Sequence, residues 1–344
     1  MMITTHLLHP ENVVIEEVER PIPKKHEVLI RVHNIGICGS DIHAYYGRHP
    51  YIHLPIIQGH EFSGEIAELG SGVEDISIGE RVTAVPMLHC RQCENCKRGD
   101  YNHCSQLRFI GCQVTGAMAE YVVIPEDKIV LLPEEVDYEI GALIEPLAIG
   151  VHAVRIGSLQ KGNKVVVLGA GTIGLMTMMA ARAMGALAIV QTDLLDKRLS
   201  LARELGSDVI CNATSKRWEG VMERAFGSEG ADIIFVCVGA SKLIQEAIQF
   251  APRGCRIVVI GVFSESVPIN IGYIQDHELE VRGVAGYTIR DFESVIRLIV
   301  EKKIKTEHLR KVITHRFPLK KIDEAYKHIE QNQPSVLKVM LEVC

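Results

Sequence analysis

Four cysteines crowd a short stretch of the chain, at Cys90, Cys93, Cys96 and Cys104. Their spacing is C-x2-C-x2-C-x7-C. Four thiolates fill a tetrahedral zinc shell and leave no position for a substrate, so the chemistry they imply is structural. Arg91, Lys97 and Arg98 lie among them and Arg108 just beyond, and these can offset the charge of a tetrathiolate. Free thiols and an iron–sulfur cluster are the competing readings. A nucleic-acid finger is disfavoured, because no paired histidines stand at finger spacing.

A second set of donors is more scattered. It comprises Cys38-Gly39-Ser40-Asp41-Ile42-His43, then Gly59-His60-Glu61-Phe62-Ser63-Gly64, then Glu145-Pro146. Cysteine, histidine and carboxylate all bind zinc, and three of them would leave a place for water or substrate. Taken singly, each has an ordinary reading as a buried small thiol or a hydrogen-bonded histidine. His6, His9, His26, His33, His49, His53 and His89 show how common histidine is here, and they receive no role. Spacing alone does not choose Cys38, His60 and Glu145.

The third signal is glycine-rich. Gly169, Gly171 and Gly174 form G-x-G-x-x-G directly after the apolar run Lys164 to Leu168, with Thr172 and Ile173 inside the turn. The pattern follows a strand and opens a helix, which is what pyrophosphate binding on backbone N–H groups requires. Asp193 ends the next strand, nineteen residues after Gly174. A carboxylate there accepts ribose hydroxyls and repels a 2′-phosphate, which favours NAD over NADP. Arg198 could instead greet a phosphate, but Asp193 outweighs it. An ordinary strand–helix turn is the bland alternative.

These residues need elements to hold them. Residues 1 to about 150 read as short strands, at Val28 to Val32, Val82 to Pro86 and Tyr121 to Ile124, with glycine and proline punctuation. From residue 151 the rhythm changes. Strands at Lys164 to Leu168, Ala188 to Thr192, Asp232 to Val238 and Arg256 to Ile260 alternate with helices at Ile173 to Met184, Lys197 to Leu205 and Lys242 to Phe250. That alternation predicts a doubly wound parallel sheet. Phe292 to Lys302 and Lys321 to Glu330 read as helices. Leu337 to Leu341 reads as a strand of either domain.

Composition narrows the field. The chain has 344 residues, and such a length predicts about two domains. Hydrophobic residues are 47% and charged residues 23%, which excludes a disordered chain. The net charge of −6 argues against nucleic acid as a partner. The basic cluster of Lys302, Lys303, Lys305, Arg310 and Lys311 is interleaved with Glu301, Glu307, Asp323 and Glu324, and reads as a solvated face. The opening residues lack the basic start and apolar run of a secretion signal. The uncharged run Val165 to Ala181 is slightly short for a membrane span and holds three glycines. A soluble, cytoplasmic protein without membrane partners is expected.

Taken together, these motifs resemble the zinc-containing medium-chain alcohol dehydrogenase family. GHEFSGEIAELGSGV (Gly59 to Val73) looks like its zinc signature. CGSDIH, the four-cysteine lobe, IEP and VVLGAGTIG occur in the family's order, and the match spans essentially the whole chain. The resemblance implies a GroES-like, partly open β-barrel catalytic domain, 1–150 and 287–344. A Rossmann NAD-binding domain, 151–286, is inserted within it. It implies two zincs per chain, a catalytic one on Cys38, His60 and Glu145 with Glu61 beside it as a transient ligand, and a structural one on Cys90, Cys93, Cys96 and Cys104. Gly169, Gly171, Thr172, Ile173, Gly174, Asp193 and Arg198 would hold the cofactor.

The activity so implied is reversible NAD-linked oxidation of a secondary alcohol, with Ser40 and His43 carrying the proton outward. Glu145 replaces the cysteine of simple alcohol dehydrogenases and looks more like the sorbitol, threonine and sugar-acid branch. A carboxylate is a harder ligand than a thiolate. Gly47 to Glu61 and Ile313 to Leu319 look most like the bacterial polyol and hexonate members. Tyr45, Tyr46 and Arg48 are candidate pocket residues, and equally packing residues. The alternatives are threonine-type amino-alcohol oxidation, or an NAD- and zinc-binding protein without catalysis. A homotetramer, or failing that a dimer, is expected, with Val267 to Ile271 as a candidate edge.

Overall fold

The computed structural model describes residues 1–214, 218–333 and 335–343. The chain divides into two compact units, Met1–Glu145 with Thr288–Cys344, and Pro146–Tyr287.

The first unit is built on a seven-stranded sheet. Its backbone is the long strand Glu27–Ile37, whose residues Val28, Leu29, Ile30, Val32 and Ile35 have no exposed surface. One edge pairs antiparallel with Glu61–Leu69. The other edge is shared: residues 27–31 pair with Tyr121–Pro125, and residues 34–37 pair with Lys338–Glu342. The pairing with Glu61–Leu69 breaks register at Leu29/Ile30 and Val32/Asn34, irregularities of the kind that bend a strand and increase its twist. The ladder continues through Arg81–Ala84 to Ile129–Leu131 on one side and to Ile313–Pro318 on the other. Those two end strands do not pair, so the barrel is partly open. The core runs from Val28 and Phe62 to Ile322, Tyr326 and Ile329 of the helix Ile322–Gln331.

The strand at 338–342 therefore belongs to the first unit, a choice the sequence leaves open. Its pairing with residues 34–37 carries the segment after residue 287 back to the first strands of the chain.

The second unit is a six-stranded parallel sheet. In chain order its strands are Lys164–Leu168, Ala188–Asp193, Val209–Asn212, Ile233–Val236, Arg256–Val259 and Glu280–Gly283. They lie in the spatial order 3-2-1-4-5-6 of a doubly wound nucleotide fold. Helices Thr172–Ala183, Asp196–Leu205 and Ser241–Phe250 supply the crossovers. The central strands Val165–Val167 and Ile233–Val236 are fully buried or nearly so, as a sheet covered on both faces demands.

Val267 to Ile271 is not an edge strand. The outer strand on that side is Glu280–Gly283, exposed along its whole length. Pro268 lacks the N–H a ladder needs, and Asn270 caps the helix Ile271–Asp276 by accepting the N–H of Tyr273 at 3.1 Å. No helix among the described residues is long and apolar enough to cross a membrane.

Candidate metal centre and nucleotide turn

Cys38 stands where the strand Glu27–Ile37 gives way to the helix Gly39–Tyr45 and is that helix's N-cap. The Asp41 carboxylate reaches back and accepts the Cys38 N–H at 2.9 Å, which fixes the turn. His60 and Glu61 lie at the start of the neighbouring strand, where Gly36 pairs with Glu61. Any side chain at residue 36 would meet Glu61: a Cβ there would lie 2.1 Å from Oε2. Donor atoms of Cys38, His60 and Glu61 lie within 4.8 Å of one another. His60 and Glu61 are 6% and 1% exposed.

Glu145 lies outside that group of three and is also buried. It precedes Pro146 within the helix Tyr138–Ile156, where the missing proline N–H interrupts the helical ladder. Its charge is felt at the same ammonium as those of Glu61 and Cys38, that of Lys338.

Lys338 escaped the sequence reading. Its Nζ donates to both Glu61 oxygens, at 2.7 and 2.5 Å, and to the carbonyl of Ile37 at 2.9 Å. Burial opposes its charge, but Glu61 and Cys38 outweigh burial and raise its pKa. The signal was available: a lysine within an otherwise apolar strand needs a buried partner.

The electrostatics fit a divalent cation. Cys38, Asp41, Glu61 and Glu145 are four potential anions set against one buried ammonium. Burial opposes protonation of His60, yet the nearby Cys38 and Asp41 charges outweigh it and hold its pKa well above the usual value. Among the described residues His60 Nδ1 has no hydrogen-bond partner, and it faces Asp41 Oδ1 at 4.0 Å. A cation at the three donors would supply the missing positive charge. A carboxylate behind a ligating histidine is the usual support for such a site.

Ser40 and His43 lie on the same short helix, three residues apart and so on one face. Ser40 is half-buried and His43 exposed. Among the described residues no hydrogen bond joins them. Tyr45 is fully buried, stacked on Tyr326 at 4.3 Å, with its hydroxyl on Asp323 at 2.8 Å. It is therefore a packing residue. Tyr46 donates to Glu330 at 2.9 Å and lies under the Arg48 guanidinium at 5.1 Å.

The cysteine lobe is also assembled. All four sulfurs lie within 4.8 Å of one another, with Cys93 and Cys96 only 3.4 Å apart. Backbone N–H groups point at them, from Cys93 to Cys90 Sγ at 3.4 Å and from Gln106 to Cys104 Sγ at 3.4 Å. Backbone donors from Gln92 and Cys93 lower the pKa of the Cys90 thiol. Four crowded sulfurs with amide donors suit a closed zinc shell.

In the second unit, Gly169 has φ +109° and makes the tight turn. A Cβ on Gly174 would lie 2.1 Å from the Gly169 carbonyl, so the helix start can approach the strand only with glycine there. Gly171 is the N-cap of the helix, and Thr172 and Ile173 form its first turn. Asp193 accepts the N–H groups of Ala170 at 2.7 Å and Leu195 at 3.0 Å, which locks its carboxylate beside the turn. Arg198 Nη1 lies 3.9 Å from where a Gly171 side chain would begin. The turn follows the first strand of the sheet, at the point where strand order reverses and such folds bind dinucleotides.

Comparison with known proteins places the chain in a family. The alcohol dehydrogenase GroES-like domain family matches residues 24–134, and the zinc-binding dehydrogenase family matches residues 172–301. Sorbitol dehydrogenase of Bacillus subtilis is 34% identical over 328 residues, covering 93% of this chain and 92% of its own. The chain belongs to the zinc-containing alcohol dehydrogenase family.

It is an oxidoreductase of that family's polyol-dehydrogenase-like branch. Among solved structures, galactitol-1-phosphate dehydrogenase from Escherichia coli superposes with a TM-score of 0.91 at 29% identity, covering 99% of this chain and 100% of that one. An alcohol dehydrogenase from E. coli CFT073, complexed with NADH, superposes with a TM-score of 0.92 at 31% identity, covering 99% of both. For a zinc dehydrogenase, the Lys338–Glu61 pair gives the carboxylate beside the donors a second, competing partner.

Proposed function

We propose that this dehydrogenase oxidises a secondary hydroxyl of a polyol, sugar alcohol or sugar acid to the ketone, reversibly and with NAD. The observation that carries the reading is the Cys38–His60–Glu61 donor cluster, in which His60 and Glu61 are buried, with a glutamate rather than a cysteine at 145. Relatives named for sorbitol and galactitol-1-phosphate support the substrate class. Cys38, His60 and Glu145 are the proposed catalytic zinc ligands, with Glu61 as an alternate. Cys90, Cys93, Cys96 and Cys104 hold the second zinc. When bound, zinc supplies Lewis-acid stabilisation of a substrate oxygen, and NAD accepts the hydride.

The chain's own residues do the rest. Ser40 accepts the substrate's hydroxyl proton and His43, exposed on the same helix face, passes it to solvent. Asp193 binds the ribose hydroxyls and disfavours a 2′-phosphate. The exposed edge strand Glu280–Gly283 is the proposed contact in a dimer or tetramer.

The test is a nicotinamide absorbance assay on zinc-loaded protein. The panel holds sorbitol, xylitol, galactitol, hexonates, sugar-alcohol phosphates and L-threonine, with NAD and NADP in parallel. Turnover of a polyol or sugar acid with NAD supports the reading, and turnover of threonine alone overturns the substrate class. Ser40→Ala should lower turnover about 100-fold with both zincs retained. Unchanged turnover would remove Ser40 from the relay.

A further inference from the structure

Behind the donor cluster runs a line of buried polar groups that the reaction itself does not use. Tyr326, on the helix Ile322–Gln331, donates its hydroxyl to Gln58 Oε1 at 2.8 Å. Gln58 Nε2 donates to the Asp41 carbonyl at 3.0 Å and lies 3.5 Å from Asp41 Oδ1. Asp41 Oδ1 in turn faces His60 Nδ1 at 4.0 Å. Tyr326, Gln58 and Asp41 are 0%, 2% and 0% exposed, so no solvent competes for these contacts.

The direction of the chain is forced. Both Asp41 atoms near Gln58 are acceptors, so the amide must present its NH2 to them. Its carbonyl then faces Tyr326, and the phenol has to donate. Reversing the amide would set oxygen against oxygen at one end. Stacking of Tyr326 on Tyr45, with ring centroids 4.3 Å apart, and the Tyr45–Asp323 bond anchor the far end.

We propose that Tyr326 and Gln58 are positioning residues for His60: they fix Asp41, and Asp41 holds the imidazole in the tautomer that leaves Nε2 for the metal. This rests on the reading that a metal occupies the Cys38–His60 cluster. At 4.0 Å the His60–Asp41 pair is an electrostatic contact rather than a formed hydrogen bond. A small displacement of Asp41 therefore decides whether the Nδ1 proton has an acceptor. The residues are distant in sequence, on the loop before residue 60 and on a helix after residue 320, so this chain of contacts links the C-terminal helix to the metal site.

The experiment measures zinc release to a chelating dye from the full-length zinc-loaded protein, with thermal stability followed alongside. His60→Ala identifies which zinc equivalent belongs to the open cluster. Gln58→Leu and Tyr326→Phe should each speed loss of that equivalent by about tenfold, the lower end of the range for outer partners of metal ligands. Loss of the tetracysteine zinc should not change. Tyr326→Phe removes one oxygen and keeps the test available if Gln58→Leu folds poorly.

The double variant separates positioning from packing. Gln58→Leu/Tyr326→Phe removes both polar groups, leaves no unpaired amide or phenol, and should recover thermal stability. Zinc release should stay fast, because Asp41 has still lost its donor. Recovery of zinc retention in the double variant would overturn the proposal, leaving the metal reading intact. A His60→Ala protein with the wild-type zinc count would overturn both.

Discussion

Replacing Lys338 with methionine leaves the Glu61 carboxylate buried without its two ammonium contacts. Removing one member of a buried ion pair costs about 3–5 kcal/mol, whereas removing both is often close to neutral. Lys338→Met should therefore lose about 3 kcal/mol in denaturant unfolding, and Lys338→Met/Glu61→Gln should regain most of it. No recovery would mean that Lys338 acts through other groups. His60→Ala should reduce bound zinc from two equivalents to one and abolish turnover, as metal analysis beside the assay would show. Asp193→Ser should shift the NAD-to-NADP ratio of kcat/KM toward NADP by at least about tenfold, and an unmoved ratio would assign the preference elsewhere.

Between elements, a carboxylate clamp ties the last segment of the first unit to the end of its first segment. Glu139, in the first turn of Tyr138–Ile156, takes Arg310 at 2.9 Å and also Arg316, while Arg310 reaches Asp137 as well. Hydrogen bonding from Arg316 holds the Glu139 carboxyl below its ordinary value of 4.5 despite partial burial. The sign follows. The clamp is complete above the unfolded value, and its stability is lost as the pH falls below about 4.5 toward the depressed folded value. Glu139→Gln should cost about 1 kcal/mol at neutral pH, after allowing for solvent screening, and nothing once wild-type Glu139 is protonated. Equal losses at both pH values would mean the clamp contributes only shape.

For the molecule as a whole, local and non-local features were unequally legible. The parallel strands and the glycine turn could be read because each is contiguous: an apolar strand, three glycines and an acid nineteen residues on. The tetracysteine lobe was readable for the same reason. The Lys338–Glu61 pair spans 277 positions and the Tyr326–Gln58 bond spans 268, so no local pattern announces them. The edge at Val267 to Ile271 was expected from the family resemblance and not from its own residues, among which Pro268 cannot donate to a ladder.

The strand Lys338–Glu342 and the helix Ile322–Gln331 lie after the whole nucleotide unit in the chain, yet they supply the partner of Glu61 and the far end of the Asp41 chain. The cysteine lobe, by contrast, is complete by residue 104. On the proposed two-zinc reading, the two sites are completed at different stages of synthesis. On that reading the four cysteines are available for a first ion once residue 104 is made, whereas the second pocket has neither its counter-charge nor its brace until translation has passed residue 338. Ribosome-stalled chains of increasing length should accordingly gain zinc in two separate steps. A single step at full length would show that the early lobe cannot hold its ion alone.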